Sequence, residues 1–182
     1  EVAQAEEIAH TAPVIRALRA DGIATPISID TRKATVAAAV LDAGADLVND
    51  VSGFDFDPAM ADLVAARAAP VCIMHAQGLP ETMQHDPRYG DVLLDVYDAL
   101  ETRLQRAEAA GIDRRRILLD PGIGFGKTQA HNLALLRRIG LFHGLGCGLL
   151  LGVSRKRFIG RLGAGAGAEA DLPADARDPG SV

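Results

Sequence analysis

With 182 residues, 48% of them hydrophobic and 24% charged, the chain is long and apolar enough for one sizeable core, which excludes a disordered or fibrous protein. Lys and Arg number 19 against 24 Asp and Glu, and the net charge of -5 has the wrong sign for a polyphosphate partner, so no nucleic acid is expected. No apolar run approaches the roughly 20 residues of a membrane span, and Cys72 and Cys147 form neither a zinc motif nor a disulfide framework, so the expectation is no membrane partner and a reducing cytoplasm.

A helical stretch over about residues 2–20 opens the chain, and its first residues, EVAQAEEIAH, are acidic where a secretory leader is basic and then apolar. Asp21-Gly22 closes that helix, and a strand follows at 26–30 (PISID). Next come a helix over about 33–43, a strand at 46–50 (DLVND) and a helix over about 58–68, where Asp57-Pro58 reads as an N-cap with proline at the first helical position. The third strand, 70–74 (PVCIM), leads into a long segment, 75–90, of the kind that usually carries function. A helix over about 91–110, a strand at 116–120 (RILLD), a helix over about 130–142 and a strand at 148–153 (GLLLGV) complete the pattern. The residues 163–182 read as a loop leading into a helix beyond the end of the chain, and both ends look cut.

Alternating short β-rich runs and longer amphipathic stretches are the pattern of βα units around a parallel sheet. An open doubly wound sheet suits the length, whereas a (β/α)8 barrel needs about 250 residues and eight strands. The polar residues favour the barrel: Asp30, Asn49 with Asp50, Met74 with His75, Asp120 and Ser154 all fall at or just past the carboxyl ends of successive strands, which converge on one mouth in a barrel. The expected fold is α/β, an incomplete (β/α)8 TIM barrel, with 1–182 as a single domain.

Three apolar strands close on Asp30, Asp50 and Asp120, and burying a carboxylate is costly unless it meets a cation or hydrogen-bond donors. Capping of the next helix explains any one of them, but three together suggest a shared cause. If Asp30 and Asp120 share a pocket with the Asn49 amide, they form a wall suited to a flat, amidine-like heterocycle, because a carboxylate accepts two parallel N–H bonds.

The run 120–128 (DPGIGFGKT) misses the phosphate-loop pattern by one residue, since Pro121 stands where the first glycine belongs. Its glycines Gly122, Gly124 and Gly126 allow close approach to a ligand or simply a tight turn, and Phe125 offers an apolar face. Past the last strand, Arg155, Lys156 and Arg157 open a short amphipathic helix. The plain reading is a solvated face; the functional one has Lys156 neutralising a carboxylate or polarising a ring oxygen. In the long loop, the stretches HAQG (75–78) and ETMQ (81–84) offer His75, Gln77, Met83 and Gln84 to the same mouth, with His75 read first as a hydrogen-bonded structural histidine. His10, His85, His131 and His143 show no ligand spacing, so no metal site is assigned within the chain.

The stretches ISIDTRKATVA (27–37), LVNDVSG (47–53), VCIMHAQGLPETMQ (71–84), LLDPGIGFGKT (118–128) and LLLGVSRKRFIG (149–160) together resemble dihydropteroate synthase, a family of pterin-binding (β/α)8 barrels, in family order and over most of the chain. The resemblance implies about strands 3 to 7 of eight. It also implies condensation of 6-hydroxymethyl-7,8-dihydropterin pyrophosphate with para-aminobenzoate to give 7,8-dihydropteroate and pyrophosphate. It assigns Asp30, Asn49 and Asp120 to the hydrogen-bonding edge of the pterin, Lys156 to its ring oxygen and nitrogen, Met74 and Phe125 to packing beside the ring and Arg155 to part of its face. Lys156 and Asp30 carry the catalytic roles in this reading. Magnesium accompanying the pyrophosphate, ligated outside this chain, and a homodimer are further implications. The family's first two strands and its last, with the asparagine, arginine and histidine that hold metal and pyrophosphate, have no counterpart here, and Arg157 stands where many relatives place a serine. The alternatives are a non-catalytic pterin-binding paralogue or fragment and a methyltetrahydrofolate-binding methyltransferase; the SRK and GFGKT motifs favour the synthase.

Overall fold

Ten regular elements follow one another in the computed structural model, which describes residues 2–78, 83, 85–156 and 158–160. They are α1 (Gln4–Ala20), β1 (Ser28–Asp30), α2 (Ala34–Asp42), β2 (Leu47–Asp50), α3 (Met60–Arg67), β3 (Val71–Met74), α4 (Val92–Ala109), β4 (Ile117–Asp120), α5 (Gln129–Arg137) and β5 (Gly148–Leu149). All neighbouring strands are parallel, and the sheet order is β1-β2-β3-β4-β5. Crossovers between parallel strands are right-handed, so a chain that always steps to the same side lays every crossover on one face of the sheet. A doubly wound sheet needs a reversal of strand order, with helices on both faces. The described strands have none, and the arrangement is the wall of a (β/α)8 barrel.

Strand parity sorts the two faces. Val48, Val71, Ile73, Ile117 and Leu119 join Val96, Leu100 and Leu104 of α4 in one buried cluster. Their alternating neighbours Asp30, Asn49, Cys72, Met74 and Asp120 therefore face the other, concave side. A smaller cluster joins Ala12 and Ile15 of α1 to Val36 and Val40 of α2.

Several boundaries differ from expectation for definable reasons. The fifth strand, expected over 148–153, pairs only at Gly148 and Leu149, with one further bond from the Leu150 amide to the Leu119 carbonyl. Its neighbour turns away at Pro121-Gly122 and leaves nothing to pair with. The helix expected over 130–142 ends at Arg137, and a 3-10 segment, Ile139–Leu145, continues it. Gly140 and Gly144 weaken an α-helix there, and the tighter turn buries Phe142 and Leu145. Asp57 does not cap a helix starting at Pro58. Its Oδ1 accepts from the Ala59 amide, its Oδ2 caps α2 by accepting from the Ala34 amide, and α3 begins at Met60.

The loop after β1 is tied back to α1. The Thr31 hydroxyl and the Lys33 ammonium donate to the two Glu7 oxygens, each at 2.7 Å. Lys33 is only 7% exposed. Burial raises the Glu7 carboxyl, but the Lys33 and Thr31 hydrogen bonds outweigh it and hold the group below its ordinary value. The folded chain thus takes up this proton less readily than the unfolded one. The contribution is complete above the ordinary glutamate range and is lost as pH falls through the depressed value. Replacing Glu7 by Gln should cost about 1–2 kcal/mol at neutral pH, shrinking toward acid, as read by urea unfolding at several pH values.

None of the described helices is long and apolar enough to cross a membrane. Glu81, Gln84, Arg157 and the expected loop 163–182 lie outside the described residues.

Candidate functional site

Register brings the polar residues of the concave face together. Asp30 pairs with Asn49 across β1 and β2, and Asn49 pairs with Cys72, which pairs with Leu118. One step further toward the carboxyl ends, Met74 pairs with Asp120. The strands thus present Asp30, Asn49 and Cys72 in one row, with Met74 and Asp120 in the row above.

The three strand-end carboxylates have different fates. Asp50 has the opposite parity and is wholly buried. Its Oδ1 accepts from the Ser52 amide and hydroxyl and its Oδ2 from the Phe54 amide, so both oxygens serve the loop. Asp120 is 6% exposed, and among the described residues it commits only Oδ1, which accepts from the Gly122 amide at 2.7 Å. Burial raises its carboxyl, opposed by that amide and by the charges of Lys127 and Lys156. Asp30 is exposed on its strand, but partial desolvation still raises its carboxyl, opposed by the Asn49 side-chain amide beside it and raised further by the charge of Asp50. Two carboxylates whose ionised forms are under strain in a shared concavity can be relieved by a ligand that presents N–H donors or positive charge.

The loop after β4 supplies the flanking wall. Gly122, at φ +69°, brings the turn so close that a Cβ there would stand 1.8 Å from the His75 carbonyl oxygen. The half-buried Phe125 ring lies 4.0 Å under the Lys156 ammonium, a cation–π contact. The Lys156 stem runs along Gly124, where a Cβ would stand 2.8 Å from its Cδ. Burial lowers the Lys156 ammonium, with Asp120 opposing. Lys156 therefore shares the electrostatics of the Asp120 wall. Arg155 is exposed, with φ of +57°.

Two features were not foreseen. Cys72 lies within the row, and burial, then the charges of Asp120, Asp30 and Asp50, pushes its thiol up to about 12, which leaves an inert thiol among carboxylates. Lys127 is 4% exposed, and its ammonium meets His75 Nδ1 at 3.0 Å. Its place in the near-miss Gly-Lys-Thr pattern was the one sequence signal. His75 itself is buried and hydrogen-bonded, as a structural histidine is. Among the described residues, no group of three or more His, Cys, Asp and Glu side chains is placed to hold a metal ion.

A family profile described as pterin binding enzyme matches residues 1–182. The chain is 44% identical over 157 residues to a dihydropteroate synthase of Synechocystis, covering 86% of this chain and 54% of that protein. The solved dihydropteroate synthase of Stenotrophomonas maltophilia with active site-bound imidazole superposes with a TM-score of 0.87 at 43% identity, covering 96% of this chain and 63% of that one. The Xanthomonas albilineans enzyme in complex with 7,8-dihydropteroate does so at 0.84 and 40% identity, covering 96% and 61%. The chain spans between half and two thirds of the length of these relatives, and the matching stretch includes the whole concave wall. By profile and by superposition alike, this chain belongs to the pterin binding enzyme family.

Proposed function

We propose that the chain is the pterin-binding portion of a dihydropteroate synthase. One observation carries the reading: Asp30, Asn49 and Asp120 face the same concavity, and Asp120 keeps one oxygen without a protein partner among the described residues. The synthase relatives, one of them complexed with 7,8-dihydropteroate, support it.

In this reading the carboxylates of Asp30 and Asp120 accept N–H bonds from the amidine-like edge of the pterin, and the Asn49 amide completes that edge. Met74 and Phe125 pack against the ring, Arg155 covers part of its face, and Lys156 donates to a ring oxygen or nitrogen. With the ring fixed, the amine of para-aminobenzoate attacks the exocyclic methylene. The C–N bond forms as the C–O bond breaks, its electron pair leaves on pyrophosphate, and the amine's proton goes to solvent. Catalysis is then positioning plus charge stabilisation, with Lys156 and Asp30 holding the ring's charge distribution. Magnesium with the pyrophosphate, a homodimeric assembly and a cytoplasmic setting belong to the same reading.

Full-length protein given both substrates should release pyrophosphate and form 7,8-dihydropteroate. A folded full-length sample that binds the dihydropterin without turnover would instead identify a non-catalytic paralogue.

A further inference from the structure

Lys127 is a buried cation that the chemistry above does not use. Its Nζ donates to His75 Nδ1 at 3.0 Å, to the His75 carbonyl at 3.3 Å and to the Phe125 carbonyl at 3.0 Å. All three acceptors are uncharged. One belongs to the loop that carries Phe125, and two belong to the residue that follows β3, whose own amide donates to the Asp120 carbonyl at 2.9 Å. A Cβ on Gly122 would stand 3.3 Å from the same Nζ, which places the ammonium against the turn that holds Asp120. A fully buried ammonium is costly to keep for packing alone, because an apolar side chain would fill the space without desolvating a charge.

We propose that Lys127 is a positioning residue for the pterin wall, clamping the end of β3 to the Phe125 loop and supplying the positive charge that keeps the Asp120 carboxylate ionised for its ligand. The inference rests on the pterin-binding reading given above. Among the described residues, four titratable or charged groups act on this ammonium: Asp120 from β4, His75 from the end of β3, Arg103 from α4 and Lys156 from beyond β5. Burial brings the Lys127 ammonium down to about 7, Asp120 opposes the fall, and Arg103 and Lys156 add to it. Burial, with Lys127 and Arg103, lowers His75 to about 3, so the histidine stays neutral and does not titrate near neutrality; a charged Lys127 can only donate, which makes Nδ1 its acceptor. Below neutral pH the clamp is charged and stabilises ionised Asp120. Above it the charge fades, and Asp120 no longer needs it, because the solution itself favours the carboxylate.

The test compares 6-hydroxymethyl-7,8-dihydropterin binding by calorimetry in full-length wild type and Lys127→Met. Taking the affinity ratio at each pH cancels the ligand's own titration. That ratio should shrink by about threefold or more between about pH 6 and about pH 9, as the wild-type clamp loses its charge. A ratio constant across this range overturns the proposal, because a purely packing role has no reason to depend on pH. No dihydropterin binding by the wild type overturns the proposal and the pterin-binding reading together. Lysine-selective 15N NMR on wild type and Asp120→Asn reads the same coupling without touching Lys127. The Lys127 midpoint should drop by about half a unit or more when the Asp120 charge is removed. An unmoved midpoint overturns the proposal even if Lys127→Met does not fold.

Discussion

Asp120→Asn should weaken 6-hydroxymethyl-7,8-dihydropterin binding by roughly 1.5 to 3 kcal/mol, or about 10- to 150-fold, measured by calorimetry on the full-length protein. The variant isolates the ligand contact from the fold. Among the described residues, the one bond that the Asp120 side chain makes is Oδ1 accepting from the Gly122 amide, and an asparagine oxygen can accept the same bond. What it cannot do is accept two N–H donors with a negative charge: the second oxygen becomes an NH2 group facing donors on the ligand. Thermal stability should change little, because the carboxylate is penalised by burial in the free protein. Unchanged affinity would remove Asp120 from the pterin edge. The matching change at Asp50 should behave oppositely, costing stability more than affinity, because both Asp50 oxygens are spent on loop donors.

Gly122→Ala should be among the most damaging single-methyl changes in the chain, costing about 4 kcal/mol or more of stability in urea unfolding. Two penalties add. The residue sits at φ +69°, where a side chain is strained, and its Cβ would fall 1.8 Å from the His75 carbonyl oxygen. That oxygen belongs to backbone tied to β4 through the His75 amide, so it cannot swing aside as the end of a long side chain would. The turn would have to open, and opening it releases the Gly122 amide from Asp120 and moves the Lys127 clamp. Gly152→Ala provides the contrast: a Cβ there meets nothing within 4 Å, and the expected change is within about 0.5 kcal/mol. Equal stabilities for the two variants would contradict the close approach of the β3 and β4 loops.

Much of this architecture was legible in the chain itself, because its signals are local. Alternation of β-rich runs with amphipathic stretches located the five strands to within two residues at every end except the carboxyl end of β5, since strand and helix periods differ and glycines mark where helices stop. The parity of Asn49 and Asp50 is also local: adjacent strand residues point to opposite faces, so only one of them can share a wall with Asp30. Which one does so depends on the side taken by the helices, and that is a property of the whole sheet.

Only the tertiary structure decided the rest, because those features depend on contacts between residues far apart in sequence. Asp57 caps α2 through Ala34 rather than its own helix because the loop after β2 lies across that helix's start. The last strand stops at Leu149 because its neighbour turns away at Pro121, not because of anything in the LLGV residues themselves. Lys127 looked like the tail of a failed phosphate loop, and became a buried clamp when the ends of β3 and β4 were brought together. Composition and periodicity set which segments are strands and which residues end them. Register and right-handed crossovers set which of those strand residues meet, since hydrogen-bonded pairing across the sheet places residues dozens of positions apart side by side.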